Sequence, residues 1–284
     1  MSGGSGPIAV ADLGLEEESE ALLDVAHAAR FAAAVGSSER PAEGDPLPFL
    51  WHWGWFGPVV GPGRLGDDGH PRLDASVLAE YPRRMWASGS LREVTPFVVG
   101  QAAIRRSAVE SVAEKLGRSG PMLIVDVAHR YEQDGREVLT EQQTLVYRTA
   151  GLRTDLPTGD SIPSPSEGEW HETVQLGPVD LFRFSAVTFN SHRIHYDRSY
   201  ATTVEGYPAL VVHGPLTAVR LAASARRASG RRLGTIRFRA LAPLFADVPF
   251  TILGRTDGAG ATVSAIRNDG TTAMTAELSA APSD

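Results

Sequence analysis

Ten consecutive residues, Thr188-Phe189-Asn190-Ser191-His192-Arg193-Ile194-His195-Tyr196-Asp197, gather two imidazoles, an amide, hydroxyls, a guanidinium and a carboxylate. An imidazole gives and takes protons near neutral pH because its reference pKa is about 6.5. The stretch can therefore do acid–base chemistry. It joins a helix expected over 181–189 to another beginning near Arg198, and loops between rigid elements are where catalytic groups concentrate. Plain helix capping by Asn190 and Asp197 is the competing account.

A second point of interest is Val212-His213-Gly214-Pro215. It opens a predicted helix over 214–228, whose first amides lack internal partners and carry the positive end of the dipole. Such amides can hold a developing negative oxygen, and Gly214 lets a ligand approach the backbone. The alternative is that Gly214 only eases the turn into the helix.

Other groupings point less clearly. His192 and His195 form an HxxH pair, with His171 and Asp197 in reserve. Zinc on a helix favours the i, i+4 pair of HExxH, and no third donor stands at a recognised spacing, so no metal is expected. No GxSxG, Walker loop or GxGxxG opening a helix is present, which leaves hydrolase-triad and nucleotide readings without a motif. The aromatic string Leu50–Phe56 (LWHWGWF) suits core packing better than stacking a flat ligand. Asp67-Asp68-Gly69-His70 and Arg83-Arg84-Met85-Trp86 read first as solvated faces, although arginines there could meet phosphates.

Stepping outward, the elements that must position these groups fall into two similar halves. The segment 151–168 holds three prolines, three serines and three glycines and reads as a linker between a unit at 1–150 and one at 169–284. Each half has an entering strand that stops near a proline (Leu91–Pro96; Leu233–Pro243), then alternating β-branched segments. The last two segments of each half join at Asp-Gly, at 134–135 and 269–270, a hairpin signal. This pattern predicts an internally duplicated α+β unit. Helix 214–228 has Ala218, Leu221, Ala222 and Ala225 on one face, and Pro215 suits its first turn. A sheet wrapped around this central helix is expected. The first thirty residues read as an acidic helix with a weak stripe of Leu13, Leu15, Leu22, Leu23, Val25 and Ala26.

Composition narrows the chemistry. The 284 residues include no cysteine, which removes thiol nucleophiles, disulfides and cysteine metal sites. Lys115 is the one lysine and sits in a charged stretch, so Schiff-base chemistry has little footing. A net charge of -7 disfavours a nucleic-acid partner. No run approaches the roughly 18–20 apolar residues that cross a bilayer. Glu16, Glu17, Glu18, Glu20 and Asp24 near the start argue against a leader, so a cytoplasmic protein without a membrane partner is expected.

The string FNSHRIHYD, followed some twenty residues later by LVVHGPL, resembles the MaoC-like hot-dog hydratases and dehydratases that act on acyl thioesters. In the R-specific enoyl-CoA hydratases of that group the motif runs Asp-x-Asn-Pro-x-His, and a His-Gly opens the central helix. Laid on this chain, the motif histidine falls on His195, its aspartate on Asn190 and the helix-opening glycine on Gly214. His192-Arg193 replace the middle Asn-Pro, and an amide stands where the carboxylate would be. From about Pro46 onward the chain is similar to the double-hot-dog mesaconyl-CoA and itaconyl-CoA hydratases and type 2 hydroxyacyl-thioester dehydratases. The shared features are TFNSHRIHYD, PLPFLWHWGWF, DDGHP, RRMWASG and RSGP at 118–121.

The resemblance implies an α+β double hot-dog, degenerate in its first unit, and reversible addition of water to an enoyl thioester without a cofactor. It implies that His195 transfers protons, Asn190 positions water and the Gly214 amide holds the thioester oxygen. Arg193, His213 and Ser191 are the expected substrate contacts, with Arg193 a partner for a distal carboxylate. The expected substrate is an acyl-CoA or acyl-carrier thioester, and the working form a monomer or homodimer. A hot-dog thioesterase and a non-catalytic thioester binder are the alternatives.

Overall fold

The computed structural model describes residues 16–72, 80–117, 120–149, 154–159, 163–258 and 260–281. The first half contributes β1 (Glu16–Leu22), α1 (Val25–Val35), β2 (Arg83–Glu93), β3 (Ala102–Gly117), β4 (Gly120–Gln133) and β5 (Arg136–Arg148). The second contributes β6 (Glu169–Val174), α2 (Pro178–Val187), α3 (Gly214–Ser229), β7 (Leu233–Ala240), β8 (Phe250–Asp257), β9 (Gly260–Arg267) and β10 (Thr272–Ala280).

All ten described strands form one antiparallel sheet in the order β1-β3-β4-β5-β2-β7-β10-β9-β8-β6. That order is a palindrome of the duplication: read inward from either edge, each half runs first, third, fourth, fifth, second strand. The halves meet where β2 pairs with β7, Gly89 opposite Phe238 and Leu91 opposite Ile236. This is the expected double hot-dog. The Asp-Gly signal at 134–135 is a tight hairpin, both residues having positive φ (51° and 69°), as a type I′ turn requires.

The central helix is α3. Its predicted apolar face is fully engaged: Ala218, Leu221, Ala222 and Ala225 are each at most 3% exposed, and the helix packs across β7 to β10. Pro215 occupies its first turn, and Gly230 ends it in the left-handed conformation. The exposed Arg226 and Arg227 pair with Glu39 and Glu172. The counterpart in the first half, α1, is shorter and packs on α2 and α3.

The acidic helix expected at the start is corrected by the structure. Residues 16–22 are an edge strand paired with β3, and the helix begins only at Val25, after Asp24 caps it by accepting the His27 N–H. Cross-strand charge explains the outcome: Glu17 and Glu18 lie against Arg105 and Arg106, and pairing of this kind overrides local helix preference. Leu13 and Leu15 lie outside the described residues. The helix expected over 181–189 is found over Pro178–Val187, starting three residues earlier and ending two earlier. No described helix is long and apolar enough to cross a membrane.

Candidate active site

Helix α2 stops because Phe189 turns left-handed, with φ of 53°. The chain then folds back on itself. The Asn190 N–H donates to the Ser185 carbonyl at 2.8 Å, and Asn190 Oδ1 accepts the His192 N–H at 3.0 Å. Only an oxygen can accept that proton, so the amide orientation is fixed and its NH2 faces elsewhere as a donor.

One 3-10 turn, Arg193–His195, brings in the imidazole at 195. His195 is buried, and its Nδ1 lies 2.7 Å from the Val211 carbonyl oxygen. A carbonyl has no hydrogen to give, so Nδ1 carries the proton and Nε2 presents a lone pair. The Val211 N–H donates to the Ile194 carbonyl at 3.0 Å, tying the loop alongside the segment that enters α3. Burial pushes the His195 pKa down to about 4, against the raising effect of the Val211 carbonyl.

Two residues past Val211, His213 stacks on His195 with ring centroids 3.6 Å apart. It is fully buried, and its Nε2 lies 2.8 Å from Ser185 Oγ. Gly214 follows at once as the first residue of α3, and no side chain caps that end. Trp86 of β2 stands over it: a Cβ at 214 would be 2.5 Å from Trp86 Cε3. Trp86 in turn stacks on Phe238 at 4.1 Å and meets the edge of Trp53 at 5.7 Å. The imidazole of 195 and the helix start at 214 thus share one corner, under an aromatic wall.

Ser191 and Arg193 are engaged with the first half. Ser191 Oγ donates to the Gly69 carbonyl at 2.5 Å, and the Arg193 N–H donates to the Asp68 carbonyl at 2.8 Å. The Arg193 guanidinium grips Asp197 through Nη2 at 2.7 Å and lies over the Tyr200 ring, 4.1 Å away. It lines a cavity of about 680 Å³ with Asp67, Asp68 and Tyr200. The other Asp197 oxygen accepts the Tyr200 N–H, so Asp197 caps the next helical turn.

Two groups read as solvated faces pack against these residues. His70 packs on the His192 ring at 4.1 Å, and its Nδ1 lies 2.9 Å from Asp68 Oδ2. Trp86 forms the wall just described. The available signal was the Asp-Gly-His spacing, since an aspartate two residues before a histidine can hold its Nδ1. One atom each from Asp68, His70 and His192 lie within 4.8 Å of one another. In the structure Asp68 Oδ2 and His70 Nδ1 are engaged with each other, so a metal there would have to displace that hydrogen bond.

The aromatic string is packing. Trp51, His52 and Phe56 are buried, and Trp53 Nε1 donates to the buried Glu141 at 2.9 Å. Burial works to raise the Glu141 pKa, but His52 and the other donors around it hold it at about 2. Of RSGP, Arg118 and Ser119 lie outside the described residues.

Residues 50–246 match the family described as hydroxyacyl-thioester dehydratase type 2. The matched span contains the aromatic string, Asp68–His70, the 188–197 loop and α3. The chain belongs to that family. It is similar to the mesaconyl-C(4)-CoA hydratase of Chloroflexus aurantiacus, 41% identical over 268 residues that span 94% of this chain and 95% of the relative. Among solved structures it is similar to a MaoC-like dehydratase, with a TM-score of 0.74 and 17% identity over 97% of this chain and all of that one. A Mycobacterium tuberculosis protein described as a double hotdog fold matches with a TM-score of 0.58 and 16% identity, over 95% of this chain and 97% of that one. As a member of the type 2 hydroxyacyl-thioester dehydratases, the protein is a hydro-lyase that hydrates or dehydrates acyl thioesters.

Proposed function

We propose that the protein reversibly hydrates an enoyl-CoA of the mesaconyl type, using His195, Asn190 and Gly214. The observation that supports this is the stacking of His195 against His213, the residue just before the uncapped start of α3.

Hydration poses two physical problems. Negative charge builds on the thioester oxygen as water adds at Cβ, and a proton must leave the water and reach Cα. The Gly214 amide answers the first, and a donor of that kind is worth about 10²–10³ in rate. His195 answers the second through Nε2, a contribution of about 10²–10⁴. Asn190 has no useful basicity and serves by donating from its NH2 to orient the water. His213 backs His195. Arg193, on the cavity wall, meets the polar end of the substrate, and Ser191 holds the loop that forms the rim.

The choice of a CoA ester, and with it a cytoplasmic setting, follows the relative that is 41% identical and named for one. The proposed unit boundaries, 1–150 and 169–284 about a linker at 151–168, are supported by β5 ending at Arg148 and β6 beginning at Glu169. With both units in one chain, a monomer or homodimer is the proposed working form. A panel of enoyl- and dicarboxyl-CoA esters followed by mass spectrometry tests the reading: gain of one water supports it. Release of free thiol to a thiol-reactive dye would instead identify a thioesterase, and binding with no change of enoyl absorbance a non-catalytic binder.

A further inference from the structure

The loop that carries Asp68-Gly69-His70 belongs to the first half yet is locked onto the 188–197 loop of the second. Asp68 and Gly69 carbonyls accept from Arg193 N and Ser191 Oγ, and Arg193 Nη1 donates to the Asp67 carbonyl at 3.0 Å. Gly69 has φ of 89°, and a Cβ there would run into the Ser191 carbonyl oxygen. The lock delivers an imidazole. His70 lies 4.1 Å from His192, His192 lies 5.3 Å from His195, and His195 lies 3.6 Å from His213, centroid to centroid. Four imidazoles stand in a row from the first half to the start of α3.

The reaction needs somewhere to keep one proton. The proton that leaves the water equals the one that Cα gains, so the site has only to hold it between the two events. Burial disfavours a cation on any of these rings and lowers the pKa of all four. Like-charge repulsion between neighbours forbids a second proton. Among the described residues, His70 is the one ring of the row that touches a carboxylate: Asp68 Oδ2 lies 2.9 Å from its Nδ1, and Oδ1 accepts its backbone N–H. The opposing charge is the Arg84 guanidinium on β2, felt at both His70 and His192. Asp68 fixes the proton on Nδ1, leaving Nε2 to accept.

Resting on the hydratase reading above, we propose that Asp68 and His70 are positioning residues that stabilise the proton held on His195, acting through His192. As the water oxygen bonds to Cβ, its O–H bond breaks and the proton passes to His195 Nε2. His192 stands between that charge and the Asp68–His70 pair, whose carboxylate offsets part of it and whose ring contact holds His192 in place. The proton then returns to form the Cα–H bond as the enolate collapses. The first half thereby supplies the carboxylate that position 190 lacks.

The test uses full-length Asp68→Asn, His70→Gln and His70→Ala on the best enoyl-CoA, with melting temperature, kcat, KM and the pH profile recorded. The expected result is a fall in kcat of about 10²-fold in each, with KM near the wild-type value. Free imidazole should restore part of the rate of His70→Ala but not of Asp68→Asn. Removing the Asp68 charge should move the acid limb of kcat/KM to lower pH. Wild-type turnover in the variants overturns the proposal. So does a loss that tracks melting temperature with an unmoved pH profile and no imidazole rescue. Stoichiometric metal in the purified protein, with activity abolished by a chelator, overturns it in favour of a metal site. In all these cases wild-type hydration survives; a wild type that hydrates no thioester removes the parent reading instead.

Discussion

The ring of His195 lies on that of His213 with centroids 3.6 Å apart and planes inclined by 21°, and His213 immediately precedes Gly214. One stacked pair therefore ties the proposed proton carrier, His195, to the start of α3. The stack is rigid because both rings are also held at a nitrogen, by Val211 and Ser185. A misplacement of about 1 Å in a catalytic site costs roughly 10² in rate, so under the proposed mechanism this rigidity matters.

The buried His195 sets a pH dependence with a definite sign. Its folded pKa, about 4, lies below the usual 6.5, so as pH falls the unfolded chain takes up the proton first. Its contribution to stability is complete above about pH 6.5 and is lost on the way down to about pH 4, a change of about 3 kcal/mol. Urea unfolding between pH 7 and pH 4 should show a shallower decline in His195→Gln than in wild type. The acid limb of wild-type kcat/KM should fall below pH 6.5.

Gly214→Ala places a Cβ 2.5 Å from the braced Trp86 ring, so that ring must shift and the melting temperature should fall. The variant should also lose about 10²–10³ in kcat, because the shifted wall and helix start no longer present the 214 amide in place. Activity and melting temperature of the purified variant check this, a rate loss measured well below its melting temperature being the expectation.

Asn190→Asp tests the amide. An aspartate keeps the oxygen that accepts the His192 N–H, so the loop should survive and hydration should persist. Asn190→Ala removes both that bond and the water-orienting donor, and its rate should fall well below that of Asn190→Asp. Steady-state hydration rates of the two variants make the comparison.

The duplication, the Asp-Gly hairpins and α3 were legible in the sequence because β-branched alternation, Asp-Gly turns and an alanine-rich face are local patterns. The candidates His195, Asn190 and Gly214 stand out in the sequence because they crowd into two short strings. Asp68, His70 and Trp86 do not, since their role depends on a loop and a strand of one half closing over the other. The acidic start misled for the same reason: Glu17 and Glu18 answer to Arg105 and Arg106, nearly ninety residues away.

Trp86 closes the space in front of Gly214, stacked on Phe238 and braced by Trp53. Trp86→Ala should open that space and shift preference toward longer straight-chain enoyl-CoA esters by about 10-fold or more in kcat/KM. Competition between a short and a long ester in one reaction reads this directly.

The central claim is that the imidazole at 195 acts on the same thioester that the start of α3 binds. The most direct measurement is the hydration rate of His195→Ala on the best enoyl-CoA, taken together with its affinity for that ester. The account predicts a fall of about 10²–10⁴ in kcat with affinity largely kept. Turnover at the wild-type rate in that variant would contradict it.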